Sequence, residues 1–224
     1  MSIRHKAFKS TLEKGYASEW NDDHHVDFTD ELVFYDVFVY NALAPCWSVA
    51  QCAVDGTAAI ILVSGHNFAV MTSGTTASSI ASMRLGTTDT TSPGDLPSFH
   101  VAVQLATVAL AEFGFFVAAT VPFTANQEGA YFRVSAGVLY AVTSTGAAET
   151  ATSLGAPDEY AVYWVDINSS DVRFYQDTRS SPLATHTTNL PSSNLTIKLS
   201  TKVSGGVSQI LRCDGAGLTR LRKA

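Results

Sequence analysis

The sequence predicts an all-β protein: a two-sheet antiparallel sandwich over residues 31–224, preceded by an extended N-terminal arm over residues 1–30. Three observations lead there. Short runs rich in β-branched and aromatic residues recur about every 8–14 residues, and Gly, Ser, Thr, Asn and Pro stand between them. Several runs alternate in period two, the repeat of a strand with two different faces. No βαβ rhythm, Gly-rich phosphate loop or internal repeat competes with this reading.

The arm differs in character from the rest of the chain. It holds the charged cluster NDDHHVDFTDE and few apolar residues at regular spacing, with a weak helical pattern over residues 11–19. At Glu31 the text changes to LVFYDVFVYNALAPCWSV. Val33, Tyr35, Val37 and Val39 alternate with Phe34, Asp36, Phe38 and Tyr40, so bulk on both faces predicts a strand covered on both sides. Residues 41–45 read as a turn, after which Trp47 returns to the core. Strands are then expected over 57–64, 67–72, 79–85, 100–107 and 113–121. In the second half, Ala136-Gly137 reads as a turn between YFRV and LYAVT, and Asn168-Ser169-Ser170 as a hairpin turn between EYAVYWVDI and VRFY. In NLTIKLS, Leu195, Ile197 and Leu199 face one way and Thr196, Lys198 and Ser200 the other, which predicts one wet face. Residues 209–213 form the last expected strand, followed by a short basic tail.

Composition narrows the function. The chain has 224 residues, 46% apolar and 15% charged, enough to bury a core without being disordered. A net charge of −6 argues against nucleic acid, whose phosphates call for clustered Lys and Arg. No apolar run reaches the ~20 residues of a membrane-spanning helix; the longest, 101–123, is interrupted by Gln104, Glu112 and Pro122. The basic start lacks an apolar segment behind it and does not read as a secretory leader. Cys46, Cys52 and Cys213 form no CxxC pair. They read as buried small hydrophobes, with a bridge from Cys213 to one of the others as the alternative.

Two resemblances rest on particular residues. FYDVFVYNALAPCWSV, GAYFRVSAGVLYAVTSTGAAET and YAVYWVDINSSDVRFYQDTRSSPLATHTTNLPSSNLTIKLS resemble the strand blocks of concanavalin A-like jelly rolls, the fold of lectins, glucanases and laminin-G-like domains. Tyr175, Asp177 and Ala184 match a "F-Y-x-D-G-x-x-x-A" hairpin, although Thr178 stands where Gly is usual. The likeness covers residues 33–222 and implies a two-sheet jelly-roll sandwich. Separately, SIRHKAFKSTLEKGYASEWNDDHHVDF resembles an N-terminal segment, with a core like "S-x-W-N-x-D-H-V", that opens tail-fibre and other particle-surface proteins of bacteriophages and archaeal viruses. Trp20, Asn21, Asp23, His24 or His25, and Val26 carry that match, with one extra His ahead of the Val. Together the resemblances imply a virion surface protein, a capsid decoration or tail appendage. Its arm (Trp20, Asn21, Asp23, His24, Val26) would dock to capsid or tail proteins and to other copies of the chain, with a trimer as the expected assembly. The alternative is a carbohydrate-binding or lectin-like module with no particle-building role.

Catalytic signals are sparse. Glucanases of this fold align carboxylates along one strand face, about 5–5.5 Å apart for retention, and this chain has no Glu-x-Asp-x-x-Glu run. Asp158, Glu159, Asp166 and Asp171 sit at strand entrances and turns, an ordinary place for them. No G-x-S-x-G accompanies His66, His100 and His186. The cluster Asp22, Asp23, His24, His25, Asp27, Asp30 and Glu31 reads as a solvated or partner-facing acidic arm more than as a metal site, because adjacent His side chains on an extended chain diverge. The chain is therefore expected not to be an enzyme and to need no cofactor or metal. Sugar binding calls for aromatic platforms beside polar loop side chains; Tyr131 and Tyr140 with Asn126 and Asn168 are the candidates for a host glycan. Trp164, Tyr160, Tyr163 and Tyr175 are further aromatics that a sandwich core could equally absorb.

Overall fold

A computed structural model describes residues 3–4, 25–26, 30–38, 46–63, 66–105 and 108–221. In chain order the strands are β1 (Ile3–Arg4), β2 (His25–Val26), β3 (Asp30–Asp36), β4 (Trp47–Ala53), β5 (Thr57–Val63), β6 (His66–Thr72), β7 (Ile80–Leu85), β8 (Pro97–Gln104) and β9 (Leu110–Phe116). Then come β10 (Gly129–Ser135), β11 (Val138–Ser144), β12 (Glu149–Gly155), β13 (Tyr160–Ile167), β14 (Val172–Gln176), β15 (Ala184–His186), β16 (Thr196–Lys202) and β17 (Ile210–Leu221). One sheet has seven strands in the order β12-β11-β10-β9-β16-β7-β4. The other runs β15-β14-β13-β8-β17-β6-β5, with β3 pairing the far half of β17. All pairings among the described strands are antiparallel, and the chain passes repeatedly from one sheet to the other, as in a jelly roll.

The core lies between the two sheets because each strand turns alternate residues inward. Phe113 and Phe115 of β9, Phe132 of β10, Phe99 of β8, Tyr163 of β13 and Phe174 of β14 are fully buried there. Phe132 sits at the centre, with ring centroids 4.8 Å from Tyr163, 5.3 Å from Phe174 and 5.4 Å from Phe113. Ala136 and Gly137 both take positive φ (51° and 77°) and join Ser135 to Val138 directly. That is the two-residue hairpin turn whose twist matches its strands. Asp36 ties the first long strand to the next: it accepts bonds from the Trp47 indole (2.9 Å) and the Phe38 amide (2.8 Å).

Several expectations are corrected. The wet face of β16 is dry: Thr196, Lys198 and Ser200 are all buried. Ser200 pairs with the Ser82 hydroxyl at 2.7 Å, and Lys198 lies beneath the loop 117–128. The strand around Tyr35 is not covered on both sides, since Tyr35 and Val37 are exposed while Asp36 and Phe38 face inward. β9 stops at Phe116, and 117–120 forms a turn closed by Thr120 N–H to Val117 O. The glycine-rich tail DGAGLTR continues β17 as a full strand. All three cysteines are free; Cys213 is buried, Cys46 partly so, and Cys52 exposed, so only Cys213 is the buried small hydrophobe expected. The expected helix over 11–19 and turn over 41–45 lie outside the described residues, as do Trp20, Asn21, Asp23 and His24. Val26 pairs with Ile3.

Candidate functional site

The outer face of the seven-stranded sheet carries the most unusual chemistry. Residues 110, 112, 114 and 116 of β9 turn away from the core, which places the single carboxylate of LAEFGFF on this face. Glu112 is nevertheless almost fully buried. Its Oε2 accepts the Phe123 amide at 2.9 Å and Gln127 Nε2 at 2.5 Å, both from the loop 117–128 that folds over the sheet. Burial pushes the Glu112 carboxyl up to about 7, against the opposing effect of those two bonds and of Arg133. It therefore exchanges a proton near neutral pH, the property asked of a general acid or base.

The neighbours on this face come from four strands. Arg133 of β10 lies directly across from Glu112 and holds Glu149 of β12 in a two-bond pair at 2.9 and 3.0 Å. An arginine thus stands between two glutamates on different strands. Lys198 of β16 donates to the carbonyls of Val117 (2.8 Å) and Thr120 (2.5 Å), and Arg84 of β7 to that of Ala118 (2.9 Å). Burial, then the nearby Arg84, lowers the Lys198 ammonium to about 8. Between these cations and the backbone of 118–122 opens a cleft of about 320 Å³.

Glycine decides what β9 can offer beside Glu112. At Gly114, φ is +146°, and a Cβ would stand 2.7 Å from Ala130 O and Tyr131 Cα. No side chain fits there. The next outward position holds buried Phe116, stacked on Tyr131 at 4.4 Å. A second carboxylate near Glu112 must therefore come from outside β9, and Glu149, across Arg133, is placed to supply it.

The four proposed sugar-contacting residues separate. Tyr131 is fully buried against Phe116, and burial and then Glu112 raise its phenol; its ring is closed to a ligand, which corrects its candidacy as a platform. Tyr140 lies half-buried on the same face with the Arg133 guanidinium 5.8 Å from its ring centre. Asn126 donates to Ala147 O at 3.1 Å, bracing the loop 117–128. Asn168 belongs to the other sheet, in the turn after β13, and donates to Asp171 at 2.6 Å. Glu112, Arg84 and Lys198 were not among the expected site residues. The available signal was a lone carboxylate inside an apolar strand, which in the sequence stands out only as a break in the longest apolar run. Among the described residues, no three His, Cys, Asp or Glu side chains converge as a metal site would require.

The chain has the concanavalin A-like jelly-roll fold. The lumenal domain of VIP36 in its Ca2+-bound form is similar, at 11% identity and a TM-score of 0.58, over 85% of this chain and 91% of that one. So is the β-glucanase of Bacillus licheniformis, at 13% identity and 0.56, over 85% and 98%. The catalytic domain of the Thermotoga petrophila laminarinase, an endo-1,3-β-glucanase, matches at 10% identity and 0.59, over 87% and 99%. No family model matches the sequence, and no curated protein is significantly similar to it. These neighbours overturn the expectation that the chain is not an enzyme. Endo-glucanases stand among the structures sharing its fold, and a missing run along one strand is no ground for exclusion when carboxylates can be supplied by different strands.

Proposed function

We propose that this protein recognises carbohydrate, and that it does so on the outer face of the seven-stranded sheet at the cleft beside Glu112. The observation that carries the reading is the cleft itself. Arg84 and Lys198 line it, backbone carbonyls form its far wall, and Glu112 lies close by beneath the same loop. Sugar hydroxyls can replace the bonds that these cations make to loop carbonyls, because they donate and accept at once. The fold shared with a lectin and with glucanases supports the same ligand class. Binding to a panel of immobilised glycans, with Arg84→Ala and Tyr140→Ala beside the parent protein, tests the reading. Loss of signal with Arg84→Ala supports it, and a blank panel for the folded parent refutes it.

A second reading, glycoside hydrolysis, is favoured by Glu112, a buried carboxyl that is half-protonated near neutral pH. Release of reducing sugar from soluble glucans that disappears in Glu112→Gln would establish it. The setting we propose is the surface of a virus particle, a reading supported by the likeness of residues 18–26 to arms of such proteins. Deleting residues 1–30 should leave a folded domain that no longer joins particles; a truncated protein that still assembles rules out the arm as anchor.

A further inference from the structure

The opposite face of the sandwich carries a second constructed surface. Tyr35 of β3 and His100 of β8 both lie directly across from Gly217 of β17, and His100 lies across from Trp164 of β13. The row crosses four strands on one outward face. Gly217 makes it continuous: a Cβ there would stand 2.2 Å from His100 Cε1, and its absence lets Tyr35 and His100 stack at 5.6 Å. His100 and Trp164 follow at 6.4 Å. Tyr35 is half exposed, and His100 and Trp164 are partly so.

One step further along the strands lies a row of small residues. Gly215 pairs with Ala102, and Ala102 with Val162. The Tyr35 hydroxyl leans to within 3.7 Å of where a Gly215 Cβ would stand. The next outward row is polar: Arg212 donates to Gln104 at 2.8 Å, and the exposed Tyr160 donates to Asp214 at 2.9 Å. The small side chains thus form the floor of a shallow trough between an aromatic row and a row of amide, guanidinium, phenol and carboxylate groups, narrowed at its Gly215 end, where that glycine is buried beneath Tyr35 and Val37.

We infer that this trough is a second carbohydrate site, which takes an extended, uncharged polysaccharide chain. Aromatic faces accept the apolar C–H faces of successive sugar rings, and the facing wall meets the ring-edge hydroxyls with both donors and acceptors. An apolar partner protein would leave the Arg212–Gln104 and Tyr160–Asp214 pairs buried without water, whereas hydroxyls replace that water. The charges of this wall are of both signs, which selects neither a polyanion nor a polycation.

The test is migration of the full chain through native gels cast with an uncharged β-1,3-glucan, β-1,4-glucan or mannan. Trp164→Ala and Tyr35→Ala should weaken retardation about tenfold or more, as for aromatic anchors generally. Ala102→Leu fills the trough while keeping every aromatic and should do the same, guarding against a misfolded Trp164→Ala. Arg84→Ala reports on the other face. Retardation lost only with Arg84→Ala overturns the trough and leaves the first site standing; lost only with the trough variants, it establishes the trough and removes the first site. Equal retardation of all variants, or none for the parent, overturns the inference. So does a Trp164→Ala chain whose solution mass falls while glucan binding is unchanged, which would identify the face as a contact between copies.

Discussion

Replacing Glu112 with Gln should stabilise the protein at alkaline pH and leave it unchanged in acid. Glu112→Gln keeps the shape of the side chain and one oxygen able to accept both the Phe123 amide and Gln127 Nε2. What it removes is a charge in a dry place. Moving a carboxyl from 4.5 to about 7 is a preference of about 3 kcal/mol for its neutral form, at about 1.4 kcal/mol per unit. Between those two values the folded chain holds more protons than the unfolded chain, so this group makes stability fall as pH rises. Below about pH 4.5 the parent is neutral at this position in both states and should equal the variant. At about pH 8 the parent carries the buried charge, and the variant should be more stable by about 2–3 kcal/mol. Urea unfolding followed by tryptophan fluorescence, repeated from about pH 5 to 8, measures the gap. Groups not coupled to Glu112 cancel in that difference, which leaves Arg133, Glu149, Tyr131 and Lys198 as the partners able to distort it. A gap that stays constant across the range would show that Glu112 is not held neutral by burial.

Three further outcomes are expected. Lys198 is displaced the other way for a base, so the parent should gain stability as pH rises from about 8 towards 10.5, and Lys198→Met should lose that rise in the same urea series. Gly114→Ala places a methyl 2.7 Å from the neighbouring strand's backbone at positive φ and should cost about 2–4 kcal/mol, read as a lower melting midpoint. Phe132→Ala opens the centre of the aromatic core and should cost about 3–5 kcal/mol by chemical denaturation, with the fold class retained by circular dichroism.

The architecture was legible because β-branched runs and turn residues report local backbone preference. YFRV, Ala136-Gly137 and LYAVT appear as a hairpin with the expected turn. Strands poor in large apolar residues were not legible. ETATSLG became β12 through pairing with β11, and DGAGLTR became part of β17 because its glycines admit His100 on one face while Ala216 and Leu218 fill the core. The site was harder to see for a related reason. Period two states which residues share a face of β16, but not that the loop 117–128, far away in sequence, returns to cover it. Lys198 looked wet, and only the hydrogen bonds to Val117 and Thr120 show why it is dry. Glu112 was hidden by the same loop. Tyr131 looked like a platform because a tyrosine facing away from the core is normally exposed, and the stack on Phe116 closes it.

The position of the two latest strands bears on how the molecule comes into being. β16 lies between β9 and β7, and β17 between β8 and β6 while also carrying β3. Each sheet thus has one of its interior strands supplied by residues 196–221. While a ribosome is still short of that segment, the earlier strands exist as separated groups with unpaired edges on both flanks and no partner to join them. Closure of both sheets is then a late event that depends on contacts distant in sequence, the kind that slows folding and leaves edges open to wrong pairing. Nascent chains arrested before residue 196 should accordingly be sensitive to proteolysis along their whole length, and release of the last two strands should protect them in a single step.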